Sequence, residues 1–105
     1  MSTFNIGDVI AERSFEAREA TGTEREVTLR MGKPIPDPKE GGDWCCPYQI
    51  IGLGDDKVSA AFGVDPLQAL LLALQKAGAE LSYYQRVQNI KLTWLDDEDL
   101  GLPKL

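Results

Sequence analysis

The sequence predicts an α+β domain. A four-stranded antiparallel meander carries one long helix on one face, and an extended C-terminal arm or a short fifth strand follows. Four segments between residues 8 and 63 alternate apolar with polar side chains, which is typical of antiparallel strands with one solvated face. The segment 66–86 repeats leucine at helical spacing. A length of 105 residues suits a single domain with its own hydrophobic core.

The first two predicted strands, 8–18 and 24–31, form a hairpin. Their shared apolar face consists of Val9, Ala11, Phe15 and Ala17 on the first strand and Val27, Leu29 and Met31 on the second. Ile10 and Arg13 break the alternation, and Gly22 lies in the short polar link, as hairpin turns prefer. The opposite face is a ladder of Glu and Arg side chains, which we interpret as solvated and paired across the strands.

The segment 32–43 is predicted to be an extended loop. Pro34, Pro36 and Pro38 fix φ and remove three amide donors from any β-ladder. They alternate, and therefore lack the spacing of proline-rich ligands for aromatic grooves. A structural spacer is the favoured interpretation, and a functional loop is the alternative.

The third and fourth predicted strands, 44–53 and 57–63, are joined by a turn at Asp55 and Asp56. The predicted core face consists of Trp44, Cys46, Tyr48 and Ile50 on the third strand and Val58, Ala60, Phe62 and Val64 on the fourth. The other face of the third strand carries Cys45, Pro47, Ile51 and Leu53. Because that face is less polar than a solvated face, we expect it to meet the arm around Trp94 or a second copy of the chain.

Cys45 and Cys46 are adjacent and are the only cysteines of the chain. Neighbours in a strand point to opposite faces, and a bridge between them departs from preferred disulfide geometry. We expect Cys46 in the core and Cys45 as the more exposed thiol. No histidine and no flanking Lys or Arg lowers the thiol pKa, so we interpret the pair as part of a strand and not as a redox or metal centre.

The helix 66–86 is the clearest predicted element. Asp65 suits the N-cap, and Pro66 suits the first helical position. The stripe expected to pack on the sheet consists of Leu67, Leu70, Leu71, Leu74, Ala77, Gly78 and Leu81. Gly78 costs about 1 kcal/mol relative to alanine within a helix, which indicates either a close approach to the sheet or a bend.

The arm, 90–105, begins with alternating Ile90, Leu92 and Trp94. Four consecutive carboxylates follow: Asp96, Asp97, Glu98 and Asp99. The run lacks the alternating ligands and the glycine of an EF-hand loop, so calcium binding is not predicted. A solvated acidic segment is the favoured interpretation. A catalytic carboxylate pair is assembled in space and would leave no signal in the sequence.

The composition removes several classes of function. The chain contains no histidine, which excludes Ser-His-Asp and Cys-His catalytic centres and His-ligated zinc. Its 17 acidic and 11 basic residues give a net charge of −6, which argues against a nucleic-acid or anionic-membrane partner. No catalytic residue, cofactor or metal ligand is assigned.

The expected compartment is the cytoplasm. The first residues contain neither a basic leader nor an apolar run, so no secretory signal is predicted. The longest apolar run, 69–74, is far shorter than the roughly 20 residues of a membrane-spanning helix. In a reducing cytosol we expect both thiols to be free.

Three motifs together resemble a known family. They are DWCCPY at residues 43–48, GVDPLQAL at 63–70, and LTWL followed by DLGLP near the C-terminus. From Val9 to Pro103 the chain is similar to a family of small uncharacterised bacterial α+β domains, a domain of unknown function. The resemblance implies a bacterial cytosolic origin and a compact α+β fold. It implies no functional residues, because the family has no established activity.

The favoured function is a non-catalytic protein-interaction module, either regulatory or of the immunity type that neutralises a basic partner. The expected partner is a basic protein or a second copy of the chain. The candidate interaction surface consists of Cys45, Pro47, Ile51, Trp94, Asp96, Asp97, Glu98 and Asp99. The alternative is a small enzyme or ligand-binding domain, with a pocket between the sheet and the helix end near Tyr83, Tyr84 and Trp94.

Overall fold

The computed structural model describes residues 5–37 and 43–104. Within them, one helix and six strands form an α+β domain, as predicted. The helix α1 is Pro66–Gln88, and the strands are β1 Val9–Glu19, β2 Glu24–Gly32, β3 Ile35–Pro36, β4 Trp44–Ile51, β5 Val58–Gly63 and β6 Ile90–Thr93. The strands form one antiparallel sheet in the order β3-β4-β2-β1-β6, and β5 pairs with β4 outside this path.

The predicted four-stranded meander is not matched, because the described part of the sheet has six strands. β3 lies in the segment predicted to be a loop, and its Ile35 pairs with Cys45. A two-residue edge strand tolerates a proline, whose missing N–H needs no partner there. The C-terminal arm begins with the strand β6, which pairs with β1. Pro38, the rest of the predicted loop up to residue 42, the first four residues and Leu105 lie outside the described residues.

A β-bulge explains why β1 departs from simple alternation. Val9 pairs with Gly32 but Ala11 pairs with Met31, so β1 carries one extra residue at Ile10. Beyond the bulge, Arg13 lies opposite the buried Leu29. Arg13 therefore belongs to the core face of the sheet, which we call the inner face; the opposite one is the outer face.

Helix α1 packs on the inner face through small side chains. Its buried residues are Ala69, Ala73, Ala77 and Leu81. The predicted stripe is correct only in part: Ala77 and Leu81 are buried as expected, but Leu67 is 73% exposed and Leu71 is 44% exposed. Leu70 and Leu74 are only partly buried at the margin of the core. A row of alanines lets a helix approach a sheet more closely than leucines would.

Small residues of β5 receive the alanines of α1. Ser59 and Ala61 pair with the buried Tyr48 and Cys46, which places them and Gly63 on the inner face. A Cβ atom on Gly63 would lie 2.5 Å from the amide nitrogen of Ala69, so glycine is required at this contact. The predicted core face of β5 was therefore wrong: Val58, Ala60 and Phe62 lie on the outer face, and Val64 is 72% exposed.

Arg13 holds the arm that follows β6. Its guanidinium lies 3.7 Å from the centre of the Trp94 ring and donates hydrogen bonds to the carbonyl oxygens of Leu100 and Gly101, at 3.0 and 3.1 Å. Gly101 has a φ of 71°, and a Cβ atom there would lie 2.6 Å from the Trp94 ring. Only glycine lets the backbone come this close at that dihedral angle.

The arm then reaches the helix at Gly78. A Cβ atom on Gly78 would meet only the side chain of Leu102, at 3.8 Å, which is an ordinary contact. The glycine in the helix therefore faces the arm, and the predicted close approach to the sheet occurs at Gly63 instead.

Candidate interaction surface

A tight hairpin turn projects from the end of β6. Trp94 and Asp97 exchange backbone hydrogen bonds of 2.8 and 3.0 Å, and the two residues between them, Leu95 and Asp96, have φ angles of 52° and 65°. These are the dihedral angles of a type I′ turn, which normally contains Asn-Gly. Leucine is unfavourable at a positive φ, and this side chain is also 80% exposed. Leu95 therefore stands out from the surface at the tip of the turn.

Most of the acidic run has a local structural explanation. Asp97 and Asp99 each accept a hydrogen bond from the backbone N–H two residues later, at 2.9 Å. Glu98 forms an ion pair with Lys91 at 3.0 Å, and Asp99 lies 3.9 Å from Lys104. Asp96 makes no ion pair or side-chain hydrogen bond with any residue in 5–37 or 43–104.

Two more carboxylates face each other on the outer face beside this turn. Glu16 of β1 lies directly opposite Glu26 of β2, and on its other side it lies opposite Thr93 of β6. Like charges in directly opposed positions destabilise a sheet. Within the described part of the chain neither Glu16 nor Glu26 has an ion-pair partner, whereas the neighbouring Glu24 pairs with Arg18 at 2.5 Å.

These groups line one open groove, which we call the acidic groove. It has a volume of about 590 Å³ and contains the carboxylates of Glu16, Glu24, Glu26 and Asp96, with Leu95 at its margin. Among the described residues, the guanidinium that lines it is that of Arg25, which donates to the Gly52 carbonyl oxygen at 2.6 Å and to Gln88 at 3.2 Å. These two hydrogen bonds hold the Arg25 guanidinium at the C-terminal end of α1, where Gln88 lies. Glu16, Glu24 and Asp96 also line an adjoining cleft with Arg18 and Lys91, whose charges pair with Glu24 and Glu98. Among the described residues, the groove therefore presents Glu16, Glu26 and Asp96 without an ion pair, beside an exposed apolar side chain.

Two predicted surface residues are buried. Cys45 is 4% exposed and Cys46 is 0% exposed, so Cys45 is the more exposed thiol, as predicted, but it is still buried, and so is Pro47. Cys45 lies between its cross-strand neighbours Ile35 and Phe62, and Ile35 belongs to the strand that the sequence did not predict. Neither Cys45 nor Pro47 can contribute accessible area to an interaction surface.

Burial also determines the chemistry of both thiols. Burial raises the pKa of Cys45, and the Asp37 carboxylate raises it further. Burial and the neighbouring Cys45 raise the pKa of Cys46 to about 11. Cys46 donates a weak hydrogen bond to the Gly32 carbonyl oxygen at 3.5 Å. Both cysteines are free, and both are disfavoured as thiolates.

The structure separates the remaining predicted surface residues. Ile51 is half-buried on the outer face of β4, opposite Thr28. Trp94 lies on the inner face with Arg13, so the expectation that the arm around Trp94 covers the outer face of β4 was wrong. Of the predicted set, Asp96, Asp97, Glu98 and Asp99 are exposed and lie together at the hairpin turn.

The predicted pocket near the helix end does not form as expected. Tyr84 lines a cavity of only about 10 Å³ with Gly54, Glu80 and Ser59. Tyr83 is 52% exposed, and Trp94 lines the acidic groove instead. The hydroxyl of Tyr48 donates to Glu80 beside the small cavity, and burial together with this hydrogen bond raises the pKa of Tyr48 well above its ordinary value. Because the Tyr48 hydroxyl and the Glu80 carboxylate are hydrogen-bonded to each other, this cluster is part of the folded interior.

A second groove, smaller than the acidic groove, lies between α1 and the arm. It has a volume of about 330 Å³, and Ser82 and Gln85 of the helix and Glu98 of the arm are among the residues that line it. Gln85 accepts a hydrogen bond from the backbone N–H of Leu92 at 2.9 Å, which ties the helix to β6.

No group of three or more His, Cys, Asp or Glu side chains in the described ranges is arranged to hold a metal ion. In those same ranges, no helix combines the length and the apolar character that crossing a bilayer requires.

Comparison with known families gives a match that covers nearly the whole chain. The family described as a domain of unknown function, DUF6968, matches residues 11–104. The chain belongs to the DUF6968 family. The resemblance to a domain of unknown function inferred from the sequence motifs is therefore supported at the level of the family. Neither the curated proteins nor the solved structures give a significant match to this DUF6968 chain.

Sequence reasoning missed three residues of the surface. Leu95 is one apolar residue between a tryptophan and an acidic run, and only its φ angle and exposure distinguish it. Glu16 and Glu26 appeared as members of a solvated ladder, because their direct opposition depends on the register of β1 and β2.

Proposed function

We propose that this DUF6968 chain is a non-catalytic protein-interaction module of the bacterial cytosol, which docks a basic partner on the acidic groove and inserts Leu95 into an apolar recess of that partner. A regulatory or immunity-type role, in which an acidic surface neutralises a basic one, fits this chemistry. The observation that carries the proposal is Leu95, which is 80% exposed at a φ of 52° beside carboxylates that have no ion-pair partner within residues 5–37 and 43–104.

Leu95 combines two unfavourable properties at one position. A leucine at positive φ costs of order 1 kcal/mol, and an exposed leucine contributes no burial to folding. Burial in a partner would offset both, since a fully buried leucine contributes about 1.5–3 kcal/mol. Apolar anchors surrounded by polar groups are typical of the centres of protein interfaces.

The charges around Leu95 specify the chemistry of the partner. Glu16 and Glu26 are directly opposed without an intervening cation from the described residues, and Asp96 is also unpaired. A lysine or arginine placed between Glu16 and Glu26 would convert a repulsion into two attractions. A basic partner is therefore favoured both during approach and in the complex.

Matched affinity capture from the source cell tests the proposal. Leu95→Asn removes the anchor while retaining a residue that type I′ turns prefer, and Val87→Asn is the control because Val87 is also apolar and is 53% exposed. We expect one basic protein to be captured by the wild type and the control, and to be lost with Leu95→Asn and with Glu16→Lys. The interaction between the purified proteins should weaken steeply with salt. Captured proteins that do not differ between wild type and Leu95→Asn would contradict the proposal.

The runner-up is a ligand-binding domain or small enzyme, and the groove between α1 and the arm favours it. Its volume of about 330 Å³ is at the lower end of the range for small-molecule sites. Native mass spectrometry of the protein purified from its source would detect a bound small molecule. Recovery of one such molecule, lost with Ser82→Trp and accompanied by no protein partner, would favour this alternative.

A further inference from the structure

The outward flank of α1 carries a second, uncharged surface. Leu67 and Leu71 are four residues apart and share one flank of the helix, at 73% and 44% exposure. Val64, just before the N-cap, is 72% exposed. We call these three residues the leucine flank. The flank continues toward Gln75, where the Gln75 side chain donates to the carbonyl oxygen of Lys104 at 3.3 Å.

This flank is unusual for a solvated helix. Between Val64 and Gln75 the only charged residue is Asp65, and its carboxylate accepts the hydrogen bond from the Gln68 N–H at 2.7 Å that caps the helix. Solvated helix faces normally carry charged residues, and a helix that is apolar on two sides is buried on two sides. The alanine row already packs on the sheet, so the leucine flank is a second apolar side that the described fold leaves uncovered.

The charges at the two ends of the flank are complementary to each other. Asp65 lies at one end, and Lys104, whose side chain is 81% exposed, lies beside Gln75 at the other. These positions are about 15 Å apart along the helix, at 1.5 Å per residue. Two copies packed with their helices antiparallel about a two-fold axis near Leu71 would bring Asp65 of each toward Lys104 of the other. The existing contact of Lys104 with Asp99, at 3.9 Å between exposed groups, is weak enough to be exchanged.

We propose that the leucine flank is the contact surface of a homodimer, in which the α1 helices of two copies pack antiparallel across a two-fold axis. An isologous contact needs one self-complementary surface, with the apolar residues at the centre and opposite charges at the ends. The flank has this arrangement. It lies on the helix, whereas the acidic groove lies on β1, β2 and the β6 hairpin, so both surfaces belong to different elements of the fold.

Analytical ultracentrifugation of the purified full chain tests the dimer, from about 1 μM to about 1 mM, a range that covers weak and moderate affinities. We expect a reversible dimer, and we expect Leu67→Gln combined with Leu71→Gln to raise its dissociation constant by about 100-fold or more, because central apolar anchors dominate interfaces. Val87→Gln is the matched control, since it removes an exposed apolar residue from another flank of the same helix. An unchanged near-ultraviolet circular dichroism spectrum shows that the variants are folded.

Two further measurements identify the orientation. Leu71→Cys should form an intermolecular disulfide under mild oxidation, and Val87→Cys should not. Asp65→Asn retains a capping side chain, and Lys104→Gln removes the opposite charge; each should weaken the dimer a few-fold, and the double variant should be weaker by less than the product. A chain that remains monomeric over the whole range, or a dimer unaffected by Leu67→Gln/Leu71→Gln, would overturn the proposal.

Discussion

Cys45 and Cys46 show how one residue's environment decides its chemistry. The two thiols point to opposite faces of β4, and both are buried, at 4% and 0% exposure. Cys46 lies in the main core, while Cys45 lies between Ile35 and Phe62 on the outer face. In both places the thiolate is disfavoured, so neither residue is suited to nucleophilic or redox chemistry.

We predict that both thiols resist a disulfide reagent in the native protein at pH 8. The pKa of Cys46 is raised to about 11 from 9.0, which by itself reduces its thiolate fraction by about 100-fold, and burial limits access further. Labelling should be complete only after unfolding in denaturant, and Cys45→Ser separates the two sites. Native labelling of Cys45 at the rate of a small-molecule thiol would contradict this prediction and restore it as a reactive residue.

Tyr48 links one buried hydrogen bond to the stability of the protein in alkali. Its hydroxyl donates to Glu80, and the raised pKa means that the folded state keeps this proton after unfolded tyrosine has lost it. The contribution to stability is therefore fully present below about pH 10 and is lost as the pH rises above it. We predict that the free energy of unfolding falls above pH 10, and that Tyr48→Phe flattens this dependence while costing about 1–3 kcal/mol at pH 7, because it leaves Glu80 without its donor.

Denaturant unfolding at a series of pH values measures both effects of Tyr48→Phe. Tyr83→Phe is the control, because Tyr83 is 52% exposed and should leave the curve unchanged. Cys46, with its pKa raised to about 11, adds a smaller loss that begins near pH 9. An identical alkaline slope in wild type and Tyr48→Phe would show that the proton is held elsewhere.

At the scale of elements, small residues determine how α1 sits on the sheet. Gly63 of β5 meets the backbone of α1 at Ala69 and Gln68, and the alanine row continues this close contact along the helix. The helix therefore turns Leu67 and Leu71 away from the sheet, which creates the leucine flank. The close contact made by Gly63 and the alanine row therefore determines both how α1 packs on the sheet and where the leucine flank lies.

We predict opposite effects for two glycine-to-alanine substitutions. Gly63→Ala places a Cβ atom 2.5 Å from the Ala69 nitrogen, so the helix must shift, and overpacking of this kind costs about 1–3 kcal/mol. Gly78→Ala meets only Leu102, at 3.8 Å, and should stabilise by about 0.5–1 kcal/mol because alanine favours a helix. Chemical denaturation measures both values. Equal effects of the two substitutions would show that α1 does not pack closely on β5.

Local patterns predicted the elements of this fold because each is encoded within a few residues. The alternation in β1, β2 and β4 and the cap at Asp65 are read from neighbouring residues, and the strands and the helix start near the predicted positions. β3 was missed because it has only two residues, one of them Pro36, and depends on pairing with Trp44. Ile10 was an unexplained exception until the register showed the bulge.

Faces were predicted less well than segments, because a face depends on what lies across from it. The predicted stripe of α1 included Leu67 and Leu71 in place of Ala69 and Ala73, and the predicted core face of β5 included Phe62 in place of Ala61. In each case the smaller residue is buried, since close contact requires small side chains on both partners. The candidate site was found only in part for the same reason: the acidic run is visible in the sequence, but the opposition of Glu16 and Glu26 requires the register.

On the scale of the whole molecule, the net charge of −6 is distributed unevenly. Carboxylates without an ion-pair partner in the described ranges collect where the outer face of β1 and β2 meets the β6 hairpin, whereas the segment from Val64 to Gln75 has a single charged residue. The proposed functions follow this division: a basic partner for the acidic groove, and a second copy for the leucine flank. Features that bind a partner in this way destabilise the isolated protein.

The acidic groove therefore allows stability and binding to be changed in opposite directions by one substitution. Glu26→Arg places a guanidinium opposite Glu16, and replacing a like-charge pair with an opposite-charge pair should stabilise the sheet by about 0.2–1 kcal/mol. The same change should weaken capture of the basic partner.

Glu12→Gln is the control on the same outer face. It removes a carboxylate that lies 3.7 Å from Arg30, so it should destabilise the protein slightly and leave capture of the partner unchanged. Thermal unfolding at low and high salt measures the first effect, which should shrink as salt screens the charges. A Glu26→Arg protein that is less stable than wild type, or that captures the partner equally well, would show that Glu16 and Glu26 do not act as an opposed pair.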